Sequence, residues 1–170
     1  MKRLSILQAL ALVVFALLMA GQAGAADIKR HGDAYVIYLP EDLDYHDVVD
    51  RLQTEILAQN WDIVKVQDID IGLRQLDVDV ENKVIMACQS QYLKQAIEED
   101  PFISLIIPCR FVVFREVAEP SQSGEGRIVV GFVDPVAEAE SINVTRAVAA
   151  AKASEELQNV LQTMADFYKE

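Results

Sequence analysis

Positive charge is scarce in this chain: 15 Lys and Arg stand against 27 Asp and Glu, a formal net charge of −12. An acidic surface repels phosphate backbones and anionic headgroups, which disfavours nucleic-acid and membrane-surface binding and leaves a basic partner or a cation open. Cysteine is almost absent. Cys88 and Cys109 are the only two, no CxxC occurs, and neither His31 nor His46 has a ligand-like spacing to them. That excludes the zinc-finger and thioredoxin-type motifs. GxSxG, HExxH, Walker and GxGxxG patterns are also missing, so the common hydrolase, zinc-protease and nucleotide-binding classes lack their local signatures. There are no repeats, low-complexity tracts or internal linkers.

What is present starts with the N-terminus. Lys2 and Arg3 precede an apolar run from Ala9 to Ala20, and Ala23-Gly24-Ala25 fits cleavage before Ala26. Residues 1–25 therefore read as a secretory signal peptide, too short in its apolar core for a membrane anchor. No cysteine lies at the cleavage site, so lipid attachment is not expected. The expectation is an exported, periplasmic protein, free of the membrane after cleavage. Loss of Lys2 and Arg3 leaves 13 basic residues against 27 acidic ones, −14, on residues 26–170. Those residues suffice for one domain with a sizeable core.

The pattern predicts strand 34–39, then a helix from Asp44, with Tyr45, Val48, Val49, Leu52 and Ile56 on one face. Asp44 is the expected N-cap, Asp47 complements the helix dipole, and His46 falls on the polar side. A strand follows in "WDIVKVQDI", with Ile63 and Lys65 alternating against Val64 and Val66. Residues 71–80 read either as a loop with a helical turn or as the start of the next strand. "NKVIMACQ" is a strand, and Ser90 is the expected cap of a short helix through Leu93, Ala96 and Ile97. Asp100-Pro101 ends that helix. "LIIPCRFVVFREV" is the next strand, with Pro108 at its start, at a bulge or on an edge because proline donates no ladder hydrogen bond. A polar turn containing Gly124-Glu125-Gly126 leads into "RIVVGFVD" as a hairpin. One long helix is expected after Asp134-Pro135, with Leu157, Val160, Leu161, Met164 and Phe167 on one stripe.

This order argues for an α+β domain over residues 26–170, a single antiparallel sheet with helices packed on one face. "RFVVFRE" and "RIVVGFV" are apolar on both alternating faces, whereas a half-covered sheet should show polar residues on its second face. A cover is expected there: a second subunit making a homodimer, the C-terminal helix, or a ligand. A core strand covered on both sides within the monomer is the bland alternative.

The set "W-D-I-V", a strand ending in Cys88, a short helix with a downstream proline, "I-P-C-R-F-V-V-F", "V-V-G-F-V-D-P" and "A-K-A-S-E-E-L-Q-N-V-L" resembles the family called domain of unknown function 302, over about residues 34–168. The resemblance implies a two-layer α+β fold like that of the TATA-binding protein, with a curved antiparallel sheet. It does not bring DNA binding with it, and the charge opposes that function. The family pattern has Cys-Asn-Pro where this chain has Cys88-Gln89-Ser90, and Pro-Cys where it has Pro108-Cys109. No activity or cofactor comes with the resemblance.

Cys88 ends one strand and Cys109 begins another after a compact excursion, which returns the chain to the same end of the sheet. Three readings stay open. A structural disulfide would contribute on the order of 3 kcal/mol. Two buried thiols would act as small hydrophobes. A thiol site would use Arg110 to lower the pKa of Cys109, in a redox or soft-metal role with Met86, Pro108 and Arg110 as neighbours. Arg110 and Arg115 are more simply partners of surface carboxylates. Asp68, Asp70, Asp77, Asp79 and Glu81 lack the spacing of a calcium loop and are expected to face solvent. Asn143-Val144-Thr145 matches the glycosylation pattern without meaning in a bacterial setting. No catalytic set emerges. The leading expectation is a non-enzymatic module binding a small ligand or a protein through its apolar sheet face, and the alternative is a thiol-dependent redox or soft-metal accessory protein.

Overall fold

A computed structural model describes residues 27–116 and 126–169. The signal-peptide expectation and the polar turn up to Glu125 lie outside the described residues. Six strands form one sheet: β1 (Lys29–His31), β2 (Ala34–Tyr38), β3 (Asp62–Asp68), β4 (Asn82–Cys88), β5 (Cys109–Glu116) and β6 (Arg127–Val133). Their order is β1-β2-β6-β5-β4-β3, and every neighbouring pair is antiparallel. The helices are α1 (Tyr45–Ala58), α2 (Ile69–Arg74), α3 (Ser90–Glu99), α4 (Pro135–Ser141) and α5 (Val148–Phe167), with a 3-10 turn at Pro101–Leu105. The α+β class, with helices on one face of an antiparallel sheet, is the expected one.

α1 forms where the sequence requires it. Asp44 accepts backbone N–H bonds from His46 and Asp47 at 2.8 and 3.0 Å, and Tyr45, Val48, Val49, Leu52 and Ile56 are buried. The Tyr45 hydroxyl donates to the Val113 carbonyl at 2.9 Å, which satisfies its polar end inside the core. α5 lays Leu157, Val160, Leu161 and Met164 on the same side of the sheet, against Ile37, Ile85, Phe111, Val113, Ile128 and Val130. Each such fully buried side chain stabilises by about 1.5–3 kcal/mol.

Several expectations are corrected. The single long C-terminal helix is two, α4 and α5. Asn143 takes a left-handed φ of 61°, and the Val144 N–H returns to the Ala139 carbonyl, the pattern by which a helix terminates. Phe167 leaves the buried stripe and is half exposed, with the Arg51 guanidinium 3.9 Å from its ring centroid. Gln89, one residue before Ser90, caps α3 by accepting from Gln91 and Tyr92 N–H. A bulge at Val64 breaks the alternation of β3, so Ile63 and Val66 both pack on the core while Val64 is exposed. The ambiguous segment holds the short helix α2. Of the acidic run, Asp70 is buried and accepts from the exposed Arg74, and Glu81 holds Arg115. Ile97 is exposed on α3, and β1 is a strand the pattern did not show.

The sheet face away from the helices carries Val36, Tyr38, Val84, Met86, Val112, Phe114 and Val129, placed there by register. The C-terminal helix is not its cover, because α5 packs on the opposite face. Long side chains of the same face do part of that work: Lys29 and Arg127 lie over the Tyr38 ring, and Val129 is buried.

Candidate functional site: an apolar cleft at one end of the sheet

The helical layer is two clusters rather than one. The larger is the sheet–α1–α5 core; the smaller joins Ala96 of α3, Ile103 of the 3-10 turn, Ala139 of α4, Val144, and Ala149 and Ala150 of α5. A cleft of about 40 Å³ lies where they meet. It exists because α3 and the first turns of α5 present Ala96, Ala149, Ala150 and Ala153 to it, and these small side chains leave space that the sheet end does not fill.

One wall is aromatic. Trp61 is buried at the start of β3, and its indole N–H donates to Glu156 Oε2 of α5 at 2.8 Å. The Tyr92 hydroxyl of α3 donates to the other oxygen of the same carboxylate. The two rings lie 6.1 Å apart. Glu156 thus joins β3, α3 and α5, and its hydrogen bond pushes the Tyr92 pKa up to about 12, with burial adding to the rise.

The second wall contains the cysteines. Cys88 and Cys109 both border the cleft and both are free thiols. Register pairs Cys109 with Ala87, and Cys88 with Asp62, so the cysteines sit one residue out of register on β4 and β5, and Cys88 leaves the sheet on the same side as Met86, reaching the cleft only at the end of its strand. Successive strand residues leave opposite faces, which puts Cys109 on the helical side with Ala87. Burial pushes the Cys109 thiol up to about 12; the charges of Cys88 and Glu138 add to the rise, and Arg110 lowers it by less. Burial likewise raises Cys88, with Asp62 adding. The expected depression of Cys109 by Arg110 is therefore overruled by desolvation. Arg110 is held instead by Glu138 of α4, and Arg115 by Glu81, as expected of partners of carboxylates.

The remaining neighbours separate. Met86 faces Arg110 across the strands, on the sheet side away from the helices. Pro108 stands just ahead of β5, as its missing N–H requires, after a cis Ile107–Pro108 bond. The described residues contain no group of three or more His, Cys, Asp or Glu placed to hold a metal ion, and no described helix is long and apolar enough to cross a membrane.

Trp61, Tyr92, Glu138 and Glu156 were not singled out by sequence. The available signals were the single tryptophan of the chain and the alanine run from Ala147 to Ala153.

Among solved structures, the chain is similar to a protein of Bacillus stearothermophilus described as an uncharacterized conserved protein DUF302. The TM-score is 0.66 at 16% identity, covering 78% of this chain and 98% of that one. That likeness supports the fold. No curated protein matches. The model of the family described as domain of unknown function DUF302 matches residues 37–164, from the end of β2 to the last turn of α5, and the chain belongs to that family.

Proposed function

We propose that this is an exported, non-enzymatic module that binds a small apolar ligand in the cleft between α3, the 3-10 turn and α5. The observation that carries the reading is the cleft itself, lined by Trp61, Tyr92, Ile103 and Ala150 with few polar groups. Concave, mostly apolar sites with few polar groups are where small ligands bind. Pre-organisation supports it too, because Glu156 fixes both aromatic side chains before any ligand arrives. The Lys2-Arg3 start, the apolar run and Ala23-Gly24-Ala25 support export to the periplasm. Burial keeps Cys109 protonated, which speaks against a nucleophilic thiol.

Trp61 is the only tryptophan, so its emission reports on the cleft alone. The cleft, about 40 Å³, takes no more than the end of a slim alkyl chain. Titration with n-butanol should change that emission saturably, and Ala150→Leu, which fills the cleft, should abolish the change. No saturable change in the native protein refutes the reading.

The alternative, a thiol-dependent redox or soft-metal role, is supported by both cysteines bordering the same cleft. It requires thiols that react readily in the folded protein. A second surface is the open sheet face, where the partly buried Val84, Met86, Val112 and Phe114 form an apolar strip that supports pairing of two copies.

A further inference from the structure

The cleft fixes the shape of what it holds. An apolar cavity of about 150 Å³ is the scale that admits a benzene ring, and this one is about 40 Å³. It excludes rings and branched bodies and accepts the end of a linear chain. Such a ligand gains from the cleft only the burial of its tip, about fourfold in affinity for each methylene. Any further gain comes from the surface beyond the cleft.

That surface is apolar. Phe102 and Leu105 of the 3-10 turn are 68% and 72% exposed. Their i, i+3 spacing sets them side by side on one face of the turn. Phe102 is the chain neighbour of Ile103, and Leu105 of Ile106, two residues that line the cleft. Their Cα atoms therefore stand about 3.8 Å from those of the wall. Val148, 54% exposed, adjoins the lining residue Ala149 at the start of α5. None of the three packs in either core cluster. Contiguous exposed apolar side chains of this kind mark a place of interaction.

We infer, resting on the cleft as ligand seat, that its ligand is a free single-chain amphiphile. The tip of a linear alkyl chain sits in the cleft, the next methylenes lie over Phe102 and Leu105, and the polar head stays in water. The narrow cleft selects a straight chain. The 3-10 turn supplies affinity that grows with chain length.

The test compares n-butanol, n-octanol and cyclooctanol on the full mature protein by calorimetry and Trp61 emission. Four more methylenes, each covered on one side, should make n-octanol bind about tenfold or more tightly than n-butanol. Cyclooctanol, with as many carbons in a ring, should leave Trp61 unperturbed. Phe102→Ser combined with Leu105→Ser, both at exposed positions, should cut the octanol-to-butanol ratio to about threefold or less. If n-octanol binds no tighter than n-butanol, the inference falls and the cleft stands as a seat for short chains alone. Cyclooctanol matching n-octanol, or a ratio unchanged in the double variant, overturns the inference as well. Binding to phosphatidylcholine vesicles by a protein that ignores free n-octanol assigns the surface to a bilayer and overturns it too. Binding of none of the three alcohols overturns the cleft and the inference together.

Discussion

Trp61 and Glu156, separated by 95 positions in sequence, are joined by an indole N–H to carboxylate hydrogen bond of 2.8 Å. The same carboxylate takes the Tyr92 hydroxyl. Removing it leaves a buried indole N–H and a phenol without an acceptor. Glu156→Ala should lower stability by about 1–3 kcal/mol, the cost of orphaned buried donors, and shift Trp61 emission to the red as water reaches the ring. Unfolding curves and emission spectra of the variant test both; unchanged emission would mean the carboxylate does not position the aromatic wall.

Buried thiols make a pH prediction. The Cys109 pKa rises from an ordinary 9.0 to about 12 through burial first. The folded protein therefore holds this proton to higher pH than the unfolded chain does. The associated stability is complete below pH 9.0 and is lost as pH rises towards 12. Tyr92, raised from 10.0 to about 12, acts in the same direction over the upper part of that window. Stability should fall between pH 9 and pH 12, and Cys109→Ser should flatten the fall. At neutral pH the native protein should alkylate slowly at Cys109 and rapidly once unfolded. Fast alkylation of the folded protein would favour the thiol-dependent reading, and a mass two hydrogens light with no alkylation after unfolding would establish a Cys88–Cys109 disulfide.

Gly131 faces Val36 across β6 and β2, and a Cβ at that position would lie 2.7 Å from the Tyr35 carbonyl oxygen and 2.7 Å from Val36 Cγ1. The carbonyl belongs to the sheet ladder and cannot yield without moving the strand. Gly131→Ala should destabilise by about 1–3 kcal/mol, read as a lower denaturant midpoint. A shift within about 0.5 kcal/mol, the range of an inert surface change, would show that β2 is not seated on β6 as described.

The open sheet face should bring two copies together. Sedimentation velocity should show a concentration-dependent dimer, and Val112→Lys, in the middle of that face, should return it to monomer without loss of fold. A monomer at every concentration rejects the pairing.

Much of the scaffold is legible in the sequence because it is local. Asp44 followed by five apolar residues at three- and four-residue spacing specifies α1, the alternation in 34–39 specifies a strand, and the short apolar, β-favouring runs in 82–88 and 127–133 specify two more. The break between α4 and α5 is hidden because "AEAESINVTRAVAA" gives little local sign of an interruption. Asn143 adopts its left-handed conformation as the chain closes the small cluster through Val144. Val64 illustrates the same limit within a strand, since one inserted residue reverses which side chains share a face. The site is less legible still. Cys88 and Cys109 stood out by rarity, but the wall beside them is assembled from β3, α3, α4 and α5. Only the solitary Trp61 and the alanines of α5 hint at it from sequence.

The most direct measurement uses the solitary tryptophan. Protein labelled with 5-fluorotryptophan has one fluorine resonance, at the wall of the cleft. Addition of n-butanol should move that resonance saturably in the native protein and leave it in place in Ala150→Leu. A resonance that does not move, or that drifts linearly and identically in both proteins, would contradict the cleft as a binding site.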